Sequence, residues 1–298
     1  MQSTYNKALT ASPQTPGKRI AICADDFGMS AGIDAGILEL ARGGRLSAVS
    51  CLTQGPTLSE HTPALLQLPV DIGLHLNFTE SLVDDQFCLP LARLIAACYT
   101  RRLPAHRVAA TIRGQFEDFE TRFGRPPDFV DGHQHVHQLP VIREQLLASI
   151  AQRYPGRDIW LRSTQAVGST AMSQAQRLKA QVIALLGGRT MRRLTTAAGL
   201  PMNRRLLGVY GFSASPEQYR NLFRSWLADA HDGDLLMCHP ARSAHAGDAI
   251  GAQRVREFSV LSDRHFATWI EEHGVSVCRL SRDRERLADE QVRSGRQD

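Results

Sequence analysis

Five short stretches carry the side chains best suited to acid–base or metal chemistry: ADDFG (Ala24 to Gly28), GLHLN around His75, DGHQHVH (Asp131 to His137), LRS around Arg162 and MCHP around His239. Two adjacent carboxylates, Asp25 and Asp26, are costly at a strand end unless a cation or a proton offsets them. A metal held by one, with the other free as a base, removes that cost. An Asp pair before a turn also reads as a helix cap. The tripeptide DFG occurs in protein kinases too, but no glycine-rich loop, Val-Ala-Ile-Lys or His-Arg-Asp accompanies it here. His75 taken alone fits a satisfied core histidine. His133, His135 and His137 carry the strongest signal, because in an extended segment alternate residues share one face and neutral imidazoles ligate divalent transition metals. A surface run of metal-scavenging histidines is the bland alternative. His239, directly before Pro240, follows an apolar run and fits either a structural or a catalytic role.

The elements that must position these residues alternate between short β-rich runs and segments of helical period. Arg19–Ala24, Ala48–Leu52, Val70–Leu76, Phe129–Asp131, Ile159–Arg162, Leu207–Tyr210, Leu235–Cys238 and Val275–Cys278 read as strands. Ser30 is placed to cap a helix carrying Ile33, Ile37 and Leu40. Pro104 suits the first turn of another with Val108, Ile112, Phe116, Phe119 and Phe123, and further helices are expected from about Pro140 to Arg153 and over Ser262–His273. This pattern predicts a single α/β domain, a distorted parallel (β/α) barrel of about seven strands over residues 18–280, with an open doubly wound sheet as the alternative. A mobile tail at 1–17 and a charged tail at 281–298 flank it. Asp25, Asp26, His75, His133, Arg162 and His239 each follow or end an apolar run, and in a β/α barrel those positions converge on one face.

The totals set outer limits. A chain of 298 residues, 43% hydrophobic, is ample for one large core. No run approaches the roughly 18 apolar residues of a membrane span, and the polar first residues lack the apolar centre of a secretory signal. The expectation is a cytoplasmic protein. Six cysteines without a CxxC pair argue against a zinc ribbon or a disulfide framework. The net charge of +5 is unevenly spread: no acidic residue lies between Asp158 and Glu217, where Arg162, Arg177, Lys179, Arg189, Arg192, Arg193, Arg204 and Arg205 all fall. No nucleic-acid motif accompanies them. The segment suits a phosphorylated or lipid-linked substrate or the inner membrane surface as readily as a solvated face.

Taken together and in order, ADDFGMS, GLHLN, DGHQHVH, LRS and MCHP resemble the YdjC-like family of carbohydrate deacetylases, over about Arg19 to Cys278. The resemblance implies a distorted barrel, a single divalent-metal site and hydrolysis of an N-acetyl group on a sugar, the chitooligosaccharide branch being suggested by Asp131. It implies Asp25 as base, Asp26, His75 and His133 as metal ligands, His239 as acid, and Arg162 as the residue that orients Asp25. Asn77, Asp131, His135 and His137 fall to substrate contact or to support of the ligands. The family is described as magnesium-dependent, whereas two imidazoles and a carboxylate suit zinc. It also allows a homodimer. A metal-dependent phosphoesterase and a non-catalytic sugar-binding relative are the rival readings. The first would want a second carboxylate set for a second metal, and the second leaves the filled catalytic positions without a use.

Overall fold

The computed structural model describes residues 17–84, 86–166 and 172–281, so nearly all of both expected tails lies outside the described residues. Its elements run β1 (Lys18–Phe27), α1 (Ala31–Arg42), β2 (Ala48–Cys51), α2 (Leu58–Leu66), β3 (Asp71–Leu76), α3 (Leu91–Tyr99), α4 (Ala105–Phe123) and β4 (Phe129–Gly132). They continue with α5 (Ile142–Arg153), β5 (Trp160–Leu161), α6 (Gln174–Ile183), α7 (Arg189–Ala197), β6 (Leu206–Leu207), α8 (Pro216–Asp229), β7 (Leu235–Cys238), α9 (Gly251–Leu261), α10 (Phe266–Glu272) and β8 (Val275–Val277).

Seven parallel strands lie in the order β5-β4-β3-β2-β1-β7-β6, and β8 pairs with the start of β1. The two ends of the sheet meet only through isolated bridges, Leu161 with Met202 and Ala166 with Leu206. The result is a curled, incompletely closed (β/α) barrel. β1 is central, and Ile20 to Ala24 are wholly buried, as expected of a parallel strand covered on both faces. Helix starts follow the chemistry read from the sequence. Ser30 accepts a hydrogen bond from the Ile33 backbone N–H, and Pro104 stands directly before α4.

Three expectations shift, each for a local reason. The strand expected over Leu207–Tyr210 is Leu206–Leu207, because Gly208 takes a φ of +92° and a Cβ there would meet the Met237 carbonyl at 2.1 Å. The helix expected from Ser262 begins at Phe266, because the Asp263 carboxylate accepts from the His265 backbone N–H at 2.9 Å and turns the chain first. The third concerns the histidine segment. It is not extended: β4 ends at Gly132 and residues His133–Gln138 form a 3-10 turn, with Gln134 and His135 at positive φ. His133, His135 and His137 therefore do not share a face.

Packing at the β3–β4–β5 side is tight. Phe129 and Trp160 stack with ring centroids 4.1 Å apart, and Phe129 is the register partner of Gly73, whose missing side chain leaves room for that ring. A Cβ on Gly73 would lie 2.3 Å from the Phe129 ring. Gly73→Ala is expected to cost about 1–3 kcal/mol through overpacking, read as a lower denaturant midpoint at unchanged m-value. An unchanged midpoint would show that the ring moves freely.

Candidate active site

Parallel strands place their C-terminal ends on one edge, and there the chemistry gathers. Asp25 and Asp26 come from β1, His75 from β3, Asp131 from β4, His133 from the turn after it, Arg162 from the residue after β5 and His239 from the residue after β7. Neighbouring residues of a regular strand point to opposite faces, so Asp25 and Asp26 should not both reach the site. A bulge resolves this. Ala24 pairs with Val49 but Phe27 pairs with Cys51, one extra residue on β1, and Asp26 lies at φ +71°. Aspartate tolerates that left-handed backbone better than most residues.

Asp25 is clamped by Arg162: Nη1 donates to Oδ2 and Nη2 to Oδ1, both at 2.6 Å. The same Nη2 lies 2.5 Å from Asp131 Oδ2 and donates to Cys23 Sγ at 3.0 Å. Burial alone would raise the Asp25 pKa, but the guanidinium outweighs it and holds this carboxyl well below the usual range. Cys23, Asp25 and Asp131 converge closely enough to hold an ion. Arg162 already supplies the cation at that point.

The second convergence is Asp26, His75 and His133, whose ligand atoms lie within 4.8 Å of one another. Asp26 Oδ1 is 3.2 Å from His75 Nε2 and 2.8 Å from His133 Nδ1. On its far side His75 Nδ1 lies 2.7 Å from Asp131 Oδ1, so Nδ1 is the donor there and Nε2 is the atom turned towards Asp26. Ser50 Oγ donates to the same Asp131 oxygen at 2.5 Å. A histidine backed by a carboxylate is the usual arrangement behind a metal ligand. His133 Nε2 faces Glu80 Oε1 at 3.6 Å in a similar way. The donor set thus fits one divalent ion: three converging ligand atoms, two neutral-capable imidazoles and a carboxylate. The carboxylates of Asp131, Asp25 and Asp26 push His75 up to about 10 against the opposing effect of its own burial.

His239 lies across from this set, with Nε2 3.8 Å from Asp25 Oδ2 and its ring edge-on to Phe212 at 5.1 Å. Burial lowers its pKa to about 4, so it rests neutral. His135 lines the same cavity and burial holds it well below the ordinary imidazole range, although its ring is only half-buried. His137 does not reach the cavity. Its Nε2 donates to the Arg162 backbone carbonyl at 3.0 Å, and burial lowers its pKa to about 4. Asn77 also stands back: its Oδ1 accepts from the backbone of Thr79 and Glu80 and its Nδ2 donates to the Glu80 carbonyl, so it shapes the loop that carries Glu80.

Helix α9 supplies two residues that the sequence reading did not single out. Arg254 donates from Nη2 to Asp26 Oδ2 and from Nε to Asp248 Oδ2, each at 2.7 Å. Glu257, fully buried, accepts from the His239 backbone N–H at 2.6 Å and from the hydroxyls of Tyr210 and Tyr219. Burial raises the Glu257 pKa to about 7. Two charges three residues apart on one helix face are a common surface pattern, so only the fold reveals that this face is buried. All six cysteines are free, and no described helix is long and apolar enough to cross a membrane. The acid-free segment is partly engaged: Arg162 is in the site, Arg205 pairs with Asp234 and Arg192 reaches Ser163 and the Arg204 carbonyl.

Fold and site together define a curled β/α barrel with a triad that could hold a metal ion and an arginine-clamped carboxylate at the C-terminal edge of its strands. The chain belongs to the YdjC-like family: the family's sequence model, described as YdjC-like protein, matches residues 19–272. A Mus musculus protein named carbohydrate deacetylase is 27% identical over 301 residues, covering 89% of this chain and 94% of that one. A Yersinia enterocolitica protein named chitooligosaccharide deacetylase is 34% identical over 134 residues, 42% of this chain and 53% of its own. Among solved structures, a protein of Enterococcus faecalis V583 shares the fold with a TM-score of 0.65 at 20% identity, covering 88% of this chain and 97% of its own.

His137 yields a pH prediction. Its folded pKa of about 4 lies below the usual 6.5, so between those values the unfolded chain binds the proton and the folded chain does not. Wild-type stability therefore loses this contribution as pH falls from about 6.5 to 4. His137→Gln keeps a donor for the Arg162 carbonyl but has no proton to take up. The stability gap between wild type and variant should narrow by up to about 3 kcal/mol from pH 7 to pH 4 in urea titrations. A gap independent of pH would mean that His137 is accessible and titrates normally.

Proposed function

We propose that this protein is a divalent-metal-dependent carbohydrate deacetylase that hydrolyses the N-acetyl group of a sugar. The observation that carries this reading is the placement of the Asp26–His75–His133 triad and the clamped Asp25 in one cavity with His239. Relatives named carbohydrate and chitooligosaccharide deacetylases support it.

Asp26, His75 and His133 would hold the ion, which supplies a Lewis acid and a water of lowered pKa. Arg162 keeps Asp25 ionised and aimed, so that it accepts a proton from the attacking water at Oδ1 or Oδ2. Asp25 is too weak a base to keep that proton. His239 Nε2, 3.8 Å away and neutral at rest, is the onward acceptor. Once protonated it donates to the departing sugar amine, without which C–N cleavage would expel a strongly basic anion. Asp131 and Glu80 fix the faces that His75 and His133 present, and Glu257 fixes the backbone of His239. The donor set suits zinc, and the family resemblance implies magnesium.

The division of labour between the adjacent aspartates is open to direct test. Asp25→Asn should keep metal affinity and lower acetate release from N-acetylated chitooligosaccharides on the order of 10²–10⁴-fold. Asp26→Asn should weaken metal binding itself, and excess metal should restore part of its activity and none of that of the Asp25 variant. The opposite pattern of rescue exchanges the two roles. Full activity in both variants, or release of phosphate instead of acetate from phosphorylated sugars, removes the reading.

A further inference from the structure

The imidazole of His239 is held by no hydrogen bond among the described residues. Nδ1 is buried and has no partner, and Nε2 stands 3.8 Å from Asp25 Oδ2, beyond hydrogen-bond reach. Asp25, His75 and His133 are by contrast each fixed by a charged neighbour. Glu257 holds the backbone of His239 and not its ring. The torsion that turns an imidazole is broad and roughly two-fold, so it selects no orientation by itself. A buried polar atom without a partner calls for a reason, and a ring that transfers a proton loses rate when it is misaligned.

Packing supplies what hydrogen bonding does not. The ring of Phe212 stands edge-on to the imidazole, with 86° between the planes and the centroids 5.1 Å apart, and both residues line the cavity. Phe212 lies at φ +55°, a backbone that an aromatic residue adopts only where its surroundings impose it. Here they do. Gly208 presses on the carbonyl of Met237, two residues before His239, and the Ala214 carbonyl accepts from Arg256 Nη1 at 3.2 Å. Between these anchors Tyr210 donates to Glu257, the carboxylate that also accepts from the His239 backbone. The Tyr210 and Phe212 rings are 4.9 Å apart. Segment 208–214 thus carries Phe212 to His239 from the frame that holds the His239 backbone.

We infer that Phe212 is a positioning residue: its ring, held on a strained backbone, sets the orientation of the His239 imidazole by packing, in place of a hydrogen bond at Nδ1. A carboxylate at Nδ1 would orient the ring too, but it would favour the charged form at rest. A phenyl ring orients the imidazole and leaves it free to take up a proton during the reaction. This deepens the deacetylase reading and rests on it for the step that His239 serves.

Two substitutions test this. Phe212→Gly removes the ring and suits the positive φ, so the backbone of the segment is kept, whereas Phe212→Tyr keeps the ring. On N-acetylated chitooligosaccharides, whose amine must be protonated to leave, kcat of Phe212→Gly should fall on the order of 10²-fold with KM and zinc affinity unchanged. Phe212→Tyr should restore most of that loss. On p-nitrophenyl acetate, whose leaving group departs as a stable anion without a proton, the loss should be at least about tenfold smaller. A second measurement does not depend on turnover. In the zinc-loaded full-length chain labelled at histidine, the His239 ring signal, assigned with His239→Gln, should be single and sharp in wild type and should broaden or double in Phe212→Gly. A raised KM at unchanged kcat would make Phe212 a surface on which the sugar rests, and overturns the inference. So does an equal loss on amide and ester, or an unaltered ring signal. A changed ring signal in a protein that releases acetate from neither substrate leaves the inference standing and removes the deacetylase reading instead.

Discussion

A guanidinium with no exposure to solvent is among the more expensive groups a fold can bury, and removing one partner of such a pair leaves an uncompensated charge. Arg162 is such a group. Its terminal nitrogens reach Asp25 twice, Asp131 once and the Cys23 thiol, all of them buried. Everything at the strand ends depends on this contact. It keeps Asp25 ionised in a setting that would otherwise protonate it, and it holds Asp131 where it can fix the tautomer of His75. The backbone carbonyl of the same arginine is tied to His137, so the third histidine of the cluster serves the clamp and not the cavity.

The bulge in β1 and helix α9 complete the arrangement from opposite sides. Without the extra residue between Ala24 and Phe27, one aspartate would point away from the site. With it, Asp26 turns towards His75 and His133, and its outer oxygen is taken by Arg254. One helical turn further along α9, Glu257 holds the backbone of His239. A single helix thus couples the position of the proposed ligand carboxylate to that of the proposed acid, and a shift of α9 would move both together.

Much of this was legible in the sequence. The strand β7 is found as read, and the barrel follows from the alternation of apolar runs with helical periods. The pairing of Arg162 with Asp25, and the grouping of Asp26, His75 and His133, also stand where the motifs placed them. What failed was the inference from spacing in DGHQHVH. Alternate histidines share a face only in extended chain, and Gln134 and His135 at positive φ break that geometry. No residue-type signal announces such a turn. Arg254 and Glu257 were invisible for a different reason: Asp26, the partner of Arg254, lies 228 residues away in sequence, and a helix carrying two charges gives no sign of which side the fold will cover.

Charge balance connects these observations to the proposed chemistry. Around the triad stand Asp25, Asp26 and Asp131, with Glu80 facing His133 and Asp248 sharing Arg254, against two guanidiniums, Arg162 and Arg254, so that carboxylates outnumber guanidiniums. Without a metal the cheapest remedy is a proton on His75, and its pKa is raised accordingly. On the proposed reading a divalent cation would take the place of that proton and would offset more of this excess than a monovalent ion could, while supplying positive charge where negative charge develops on the acetyl oxygen. His239 rests neutral because it is buried, and on the proposed reading it becomes charged only when Asp25 passes on the proton of the attacking water, so the acid is formed after the step that creates its need.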